Sequence, residues 1–182
     1  MKVFLIAAAV ALGILPLFSG CDDSSGSVSL NEEENDVFYY TNMARTDPSG
    51  FADEFLPPGS SNGAYEDLST RTPVPPLALS EGLILAARAH SKDMALNCGM
   101  YHDSCDGTSW SDRISSYYDG GTLGENIASG FGTGLSVVIA WIEDFNIESL
   151  GHRENILRST YEHIGIGQYE SYWTQDFGAG GI

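Results

Sequence analysis

Positive charge is scarce in this chain: 8 Lys plus Arg stand against 25 Asp plus Glu in 182 residues, a formal net charge of −17. Neutralising phosphates takes clustered cations, and the few here are scattered through an acidic background, which excludes a general nucleic-acid binder. Anionic membrane surfaces are disfavoured as electrostatic partners for the same reason. Cysteine is equally sparse, at three. There is no CxxC pair, so a cysteine metal site is the minor reading of those thiols. HExxH and Walker motifs are missing, which removes sequence support for the common metallopeptidase and nucleotide-binding classes. Gly130, Gly132 and Gly134 form a GxGxG without Rossmann spacing or a surrounding βαβ unit, and read as a hinge loop. No internal repeat is present. What remains is 42% apolar, 11% aromatic and 18% charged residues, material enough for one folded domain.

Residues 1–21 read as an export signal, with Lys2 as the basic start and Val3–Phe18 as an apolar run too short for a comfortable membrane span. The run ends Leu17-Phe18-Ser19-Gly20-Cys21, similar to a bacterial lipobox apart from Phe18. Lipidation of Cys21 would anchor a domain to a membrane without a spanning helix, each buried CH₂ adding about 0.8 kcal/mol. Ordinary secretion with cleavage near Ser19 or Gly20 is the alternative. Setting Cys21 aside leaves Cys98 and Cys105, an even number in a chain bound for an oxidising compartment, so a Cys98–Cys105 disulfide is expected. A polar tether over 22–28 would precede a single domain over 29–182.

Ser29 with Glu32 predicts a capping box, and Val37, Tyr40, Thr41 and Ala44 continue at helical spacing until Asp47-Pro48. A second helix is predicted from about Ser80 to Ala95, with Leu83, Ala87, His90 and Met94 on one stripe, so His90 reads as core. The five-proline stretch Pro57–Pro76 needs either packing of its own or a function. Beyond Cys105 the chain is rich in Gly and Ser until a helix over Leu135–Phe145, then a short helix near His152 that puts Asn155 and Ile156 on its face. Strands are predicted over Glu162–Tyr169 and Tyr172–Phe177, with Trp173, Gln175 and Phe177 on one side. Helices early and strands late argue for an α+β domain with a mainly antiparallel sheet covered by helices. His163 reads as structural. Tyr101, Trp110, Tyr117 and Tyr118 either roof the core or rim a groove.

The segments Tyr101-His102-Asp103-Ser104, Leu123–Ala128 (LGENIA), Val138–Asp144 (VIAWIED), Gly151–Leu157 (GHRENIL) and Ile164–Gly167 (IGIG) follow one another in the order found in the CAP superfamily. This is the group of cysteine-rich secretory, antigen 5 and pathogenesis-related 1 proteins, also called SCP domains. Thr41-Asn42 with Arg45, the AxAHSKDMA stretch around His90, and Tyr172–Gly178 (YWTQDFG) extend the resemblance, which is to the bacterial single-domain branch. It implies a three-layer α/β/α sandwich with a cleft where two His and two acids converge. Carried over, these are His102, Glu125, His152 and, fourth, Asp144 with Glu143 as reserve.

Two neutral imidazoles suit Zn²⁺ or another divalent cation, so His102 and His152 are the expected metal ligands. The carboxylates would ligate directly, hold a water, or accept the second imidazole N–H. Three readings follow: a lipid-anchored, monomeric envelope protein binding metal and a lipid, peptide or glycan; a metal-assisted hydrolase with Glu125 or Asp144 as base; and a structural or adhesive module. The absence of a nucleophile beside either histidine favours the first.

Overall fold

The first helix begins where two side-chain bonds close on each other. Asn31 Oδ1 accepts from the Glu34 N–H at 2.8 Å and Glu34 Oε2 accepts from the Asn31 N–H at 3.0 Å, which starts α1 at Glu32–Thr46. The capping box therefore sits two residues beyond the Ser29–Glu32 pair, whose spacing is the same; Ser29 instead gives its carbonyl to Arg88. Asp47 ends α1 and at once caps α2 (Pro48–Phe55) by accepting from the Gly50 N–H, with Pro48 in the first turn, where its missing N–H costs nothing. The computed structural model describes residues 28–145 and 151–180. The signal segment 1–21, Cys21 and nearly all of the tether lie outside the described residues.

The proline-rich stretch carries its own packing: a 3₁₀ turn at Ser61–Gly63 and α3 (Ala64–Thr70), with Ala64 and Leu68 fully buried. A two-residue strand β1 (Ala78–Leu79) leads to α4 (Glu81–Asp93), followed by a π turn over Met94–Cys98. The Gly- and Ser-rich region holds two elements that its composition hid, α5 (Trp110–Ser115) and β2 (Thr122–Ser129). Then come α6 (Gly134–Glu143), α7 (Gly151–Leu157), β3 (His163–Tyr169) and β4 (Tyr172–Ala179). The β-branched run Val137-Val138-Ile139 is helical because Val137, Val138, Trp141 and Ile142 form one buried stripe.

The sheet order is β1-β3-β4-β2, parallel only at β1–β3, so the sheet is mainly antiparallel and β2 is a free edge. Helix α4 packs on one face, where Ser91 Oγ donates to the Gly167 carbonyl and pairs with the Thr174 hydroxyl, both at 2.9 Å. On the other, Gln175 Nε2 donates to Thr41 Oγ1 of α1 at 2.7 Å, and Trp173, Phe177, Ile164 and Ile166 join the main core with α1, α6 and α7 residues. Three layers result, α/β/α.

Close approach of α4 depends on two glycines. A Cβ on Gly165 would lie 2.0 Å from the Leu83 carbonyl carbon, and one on Gly167 2.2 Å from that of Ala87. Gly165→Ala is expected to push α4 off the sheet and cost about 1–3 kcal/mol, read as a lower urea midpoint at unchanged slope. An unchanged midpoint would show that the layer spacing is not fixed there.

Candidate functional site at the edge of the sheet

Two adjacent residues of β2 organise the site. Glu125 points to the α4 face and Asn126 to the α1 face, because side chains alternate along a strand. Glu125 Oε1 receives the Nδ1–H of His102 at 2.8 Å, and Oε2 is bonded by the Arg113 guanidinium of α5. Arg113 also donates to the His102 carbonyl at 2.9 Å and to Ser104 Oγ at 3.0 Å, so one buried cation fixes both the carboxylate and the loop that carries its histidine. Asn126 Nδ2 donates to the His152 carbonyl at 3.1 Å, and Asn155 Nδ2 returns the link by donating to the Glu125 carbonyl at 3.2 Å.

The second histidine is held in the same manner. Asp144 Oδ1 receives the Nδ1–H of His152 at 2.6 Å, and Oδ2 accepts the Arg153 backbone N–H at 3.0 Å. Asp144 closes α6 in the left-handed region, φ 48° and ψ 41°, which an aspartate tolerates better than most residues. Its carbonyl accepts from Asn62 Nδ2. Among the described residues Glu143 contributes only its backbone carbonyl, also to Asn62. Asp144, not Glu143, thus touches His152.

The tautomers follow from these bonds. An ionised carboxylate has no proton to give, so each ring donates from Nδ1, and in the neutral imidazole Nε2 then carries the lone pair. Neither Nε2 has a partner among the described residues. His102 lines a polar cleft of about 390 Å³ with Trp110, Glu125, Asn155, Arg158 and Tyr161. His152 and Asp144 line a second, mainly apolar one of about 250 Å³ with Ile127, Phe131, Trp141 and Phe145. The structure therefore forms two His–acid pairs, one in each cleft, and among the described residues no three donor atoms of the four residues come within 4.8 Å of one another.

The free edge of β2 is capped along most of its length. Three of its outward carbonyls are occupied: Leu123 by the Tyr161 hydroxyl at 3.1 Å, Glu125 by Asn155, and Ile127 by Trp141 Nε1 at 3.1 Å. Edges left open invite pairing with other chains.

The loop bearing His102 is bracketed by the expected disulfide, Cys98–Cys105, with Cα atoms 5.5 Å apart. His90, fully buried on α4, ties down that loop by donating its Nε2–H to the Tyr101 carbonyl at 2.9 Å. Burial lowers the His90 pKa, with the Glu125 charge opposing, so the ring is neutral. His163 Nδ1 and the Tyr118 hydroxyl form a hydrogen bond of 2.9 Å, in keeping with a structural role. Of the four aromatics weighed from sequence, Tyr118 is buried, Tyr101 and Tyr117 are exposed, and Trp110 lines the cleft beside His102.

A model of the cysteine-rich secretory protein (CAP) family matches residues 38–177. The chain belongs to this family. It is 42% identical over 105 residues to the uncharacterized protein YkwD of Bacillus subtilis, covering 56% of this chain and 39% of that protein. To the uncharacterized membrane protein YlbC of the same organism it is 37% identical over 92 residues, 50% of this chain and 25% of that one. Among solved structures, an extracellular protein containing an SCP domain from Bacillus anthracis aligns at TM-score 0.53 and 31% identity, over 59% of this chain and 35% of that one. The chain thus spans well under half the length of each of these relatives.

Within this CAP domain several residues that shape the site escaped sequence reasoning. Arg113 looked like one more scattered cation, although a lone basic residue between two site segments of an acidic chain is itself a signal. Asp176, inside the YWTQDFG segment, is fully buried directly across β2–β4 from Glu125. No local pattern predicts that pairing, because it depends on strand register.

Proposed function

We propose that this chain is an exported CAP-domain protein, anchored through a lipid on Cys21, whose cleft binds a divalent cation such as Zn²⁺ and an extracytoplasmic ligand without fast turnover. The observation that carries the reading is the shared wiring of the two histidines: each gives Nδ1–H to a buried carboxylate, which fixes the ring and raises the basicity of the remaining nitrogen. Neutral imidazole nitrogens are good zinc donors, and in this reading one cation is shared between the His102 cleft and the His152 cleft, an open, modest site that leaves coordination positions for a ligand. The carboxylates orient the rings in this account and are not themselves ligands. The apolar cleft beside His152 suits an apolar portion of the ligand, whether from a lipid, a peptide or a glycan conjugate. Export is supported by the signal-like N-terminus and by the extracellular relative from Bacillus anthracis.

The hydrolase reading needs a carboxylate free to take a proton from water. Glu125 is engaged by His102 and Arg113, and Asp144 by His152 and Arg153, which favours binding over proton transfer.

Calorimetry with Zn²⁺ is expected to show saturable binding to the wild type that is lost in the His102→Ala, His152→Ala double variant. Equal heats from both proteins would defeat the assignment. A fall in melting temperature with zinc binding unchanged would instead favour the structural module.

A further inference from the structure

Behind His102, on the face of the sheet covered by α4, lies a carboxyl that nothing so far employs. Asp176 is fully buried, and neither of its oxygens receives a hydrogen bond from any group among the described residues. An ionised carboxylate in that condition would carry the full cost of desolvation. On one side its cross-strand neighbour is Gly165, over which the α4 backbone lies; on the other it is Glu125. Side chains directly opposite across a sheet have Cβ atoms about 5 Å apart, and like charges at that distance repel. The charged groups that act on Asp176 are Glu125 from β2 and Arg113 from α5; among the described residues neither the Arg113 Nε–H nor Nδ1 of His90 on α4 has a hydrogen-bond partner. Arg113 bonds Glu125, and His90 donates its one N–H to the Tyr101 carbonyl.

We propose that Asp176 is a neutral carboxylic acid whose O–H donates to Glu125, making it the positioning residue of the Glu125–His102 pair. The proton belongs on Asp176 because Glu125 has Arg113 and His102 to satisfy its charge while Asp176 has neither. Burial first, and then the Glu125 charge, pushes the Asp176 carboxyl well above its usual range, with Arg113 opposing. With this third donor, Glu125 is clamped on every side and cannot swing, so His102 is held to the tautomer that leaves Nε2 open to the cleft. The argument concerns the metal-free protein and does not depend on zinc.

Two measurements on the metal-free full chain test it. The ¹³Cγ resonance of Asp176 is expected to report a protonated carboxyl at pH 7, and an infrared carboxylic-acid band should vanish in Asp176→Asn. A carboxyl that titrates near pH 4 would overturn the proposal. Nitrogen shifts of His102 provide the second readout. Asp176→Asn keeps an N–H donor and should preserve the Nδ1–H tautomer, whereas Asp176→Leu should let the two tautomers mix. Identical spectra in the folded Leu and Asn variants would equally refute a positioning role.

A pH signature accompanies these. Since the folded-state value lies above the unfolded one, the folded chain holds a proton that the unfolded chain releases above about pH 4. The Asp176 contribution to stability is therefore complete below that pH and is lost as pH rises toward the folded value. Asp176→Asn should gain stability relative to wild type across that window. A difference that does not change with pH would count against a neutral Asp176.

Discussion

Arg113→Met is expected to lower the stability of the domain by about 3–5 kcal/mol at neutral pH, because removing one member of a buried ion pair leaves the other charge stranded. Glu125 would keep His102 as its partner but would face Asp176 without an opposing cation, and the His102 carbonyl and Ser104 Oγ would lose their donor. That is a large share of the roughly 5–15 kcal/mol that holds a typical domain together. Urea denaturation measures it directly, and the melting temperature should fall by on the order of 10 °C. The deficit should shrink on acidification, since a carboxyl without its cation is less costly when neutral. Arg113→Lys should recover only part of the loss. A lysine restores the charge but lacks the fork that reaches Glu125, the His102 carbonyl and Ser104 together. A loss below about 1 kcal/mol for the Met variant would show that Glu125 does not rely on Arg113.

Substitution of Asp144 should act on the cleft more than on the fold. Asp144→Asn keeps the left-handed backbone but offers one acceptor oxygen where two are used, so either His152 Nδ1–H or the Arg153 N–H goes unmatched. Under the proposed function, zinc affinity should drop about 10–100-fold, the scale on which the partners of metal-binding histidines act. Asp144→Ala should lose as much affinity and, in addition, about 1–3 kcal/mol of stability, from the left-handed backbone at φ 48° and the unpaired Arg153 N–H. Glu143→Ala is the control. Its side chain contacts neither histidine, so affinity and stability should stay within error of wild type. If Glu143→Ala were the variant that lost zinc, the assignment of the fourth residue would be reversed.

Elements with a strong local period were readable from the chain. Helix α6 follows from Val138, Trp141, Ile142 and Phe145 at helical spacing, although the helix ends at Glu143; its cap, Thr133, whose side chain accepts from the Ser136 N–H, is a finding of the structure. Strands β3 and β4 follow from their alternation. Strand β2 did not, because LGENIA alternates a glycine and an asparagine with a carboxylate and two aliphatics, a pattern whose burial arises only once β4 pairs along its whole length. The same limit affected α1, where two capping boxes with equal spacing compete and Asn31 wins. Buried Arg45 illustrates the point further: four carbonyls, from Pro75, Ile156, Arg158 and Tyr161, accept from its guanidinium, and burial brings its pKa down to about 10. Three of those partners lie more than a hundred residues away.

The sequence by itself determined the acidic character, the order of helices and late strands, the family, and the four residue types of the site, since all of these are carried by composition, local period or short motifs. Tertiary structure alone decided that the four residues act as two pairs, that Asp144 rather than Glu143 meets His152, and that Arg113 and Asp176 stand behind Glu125. Those facts rest on strand register and on helices crossing the sheet from opposite faces. Contacts of that kind join residues whose neighbours in the chain hold no record of them.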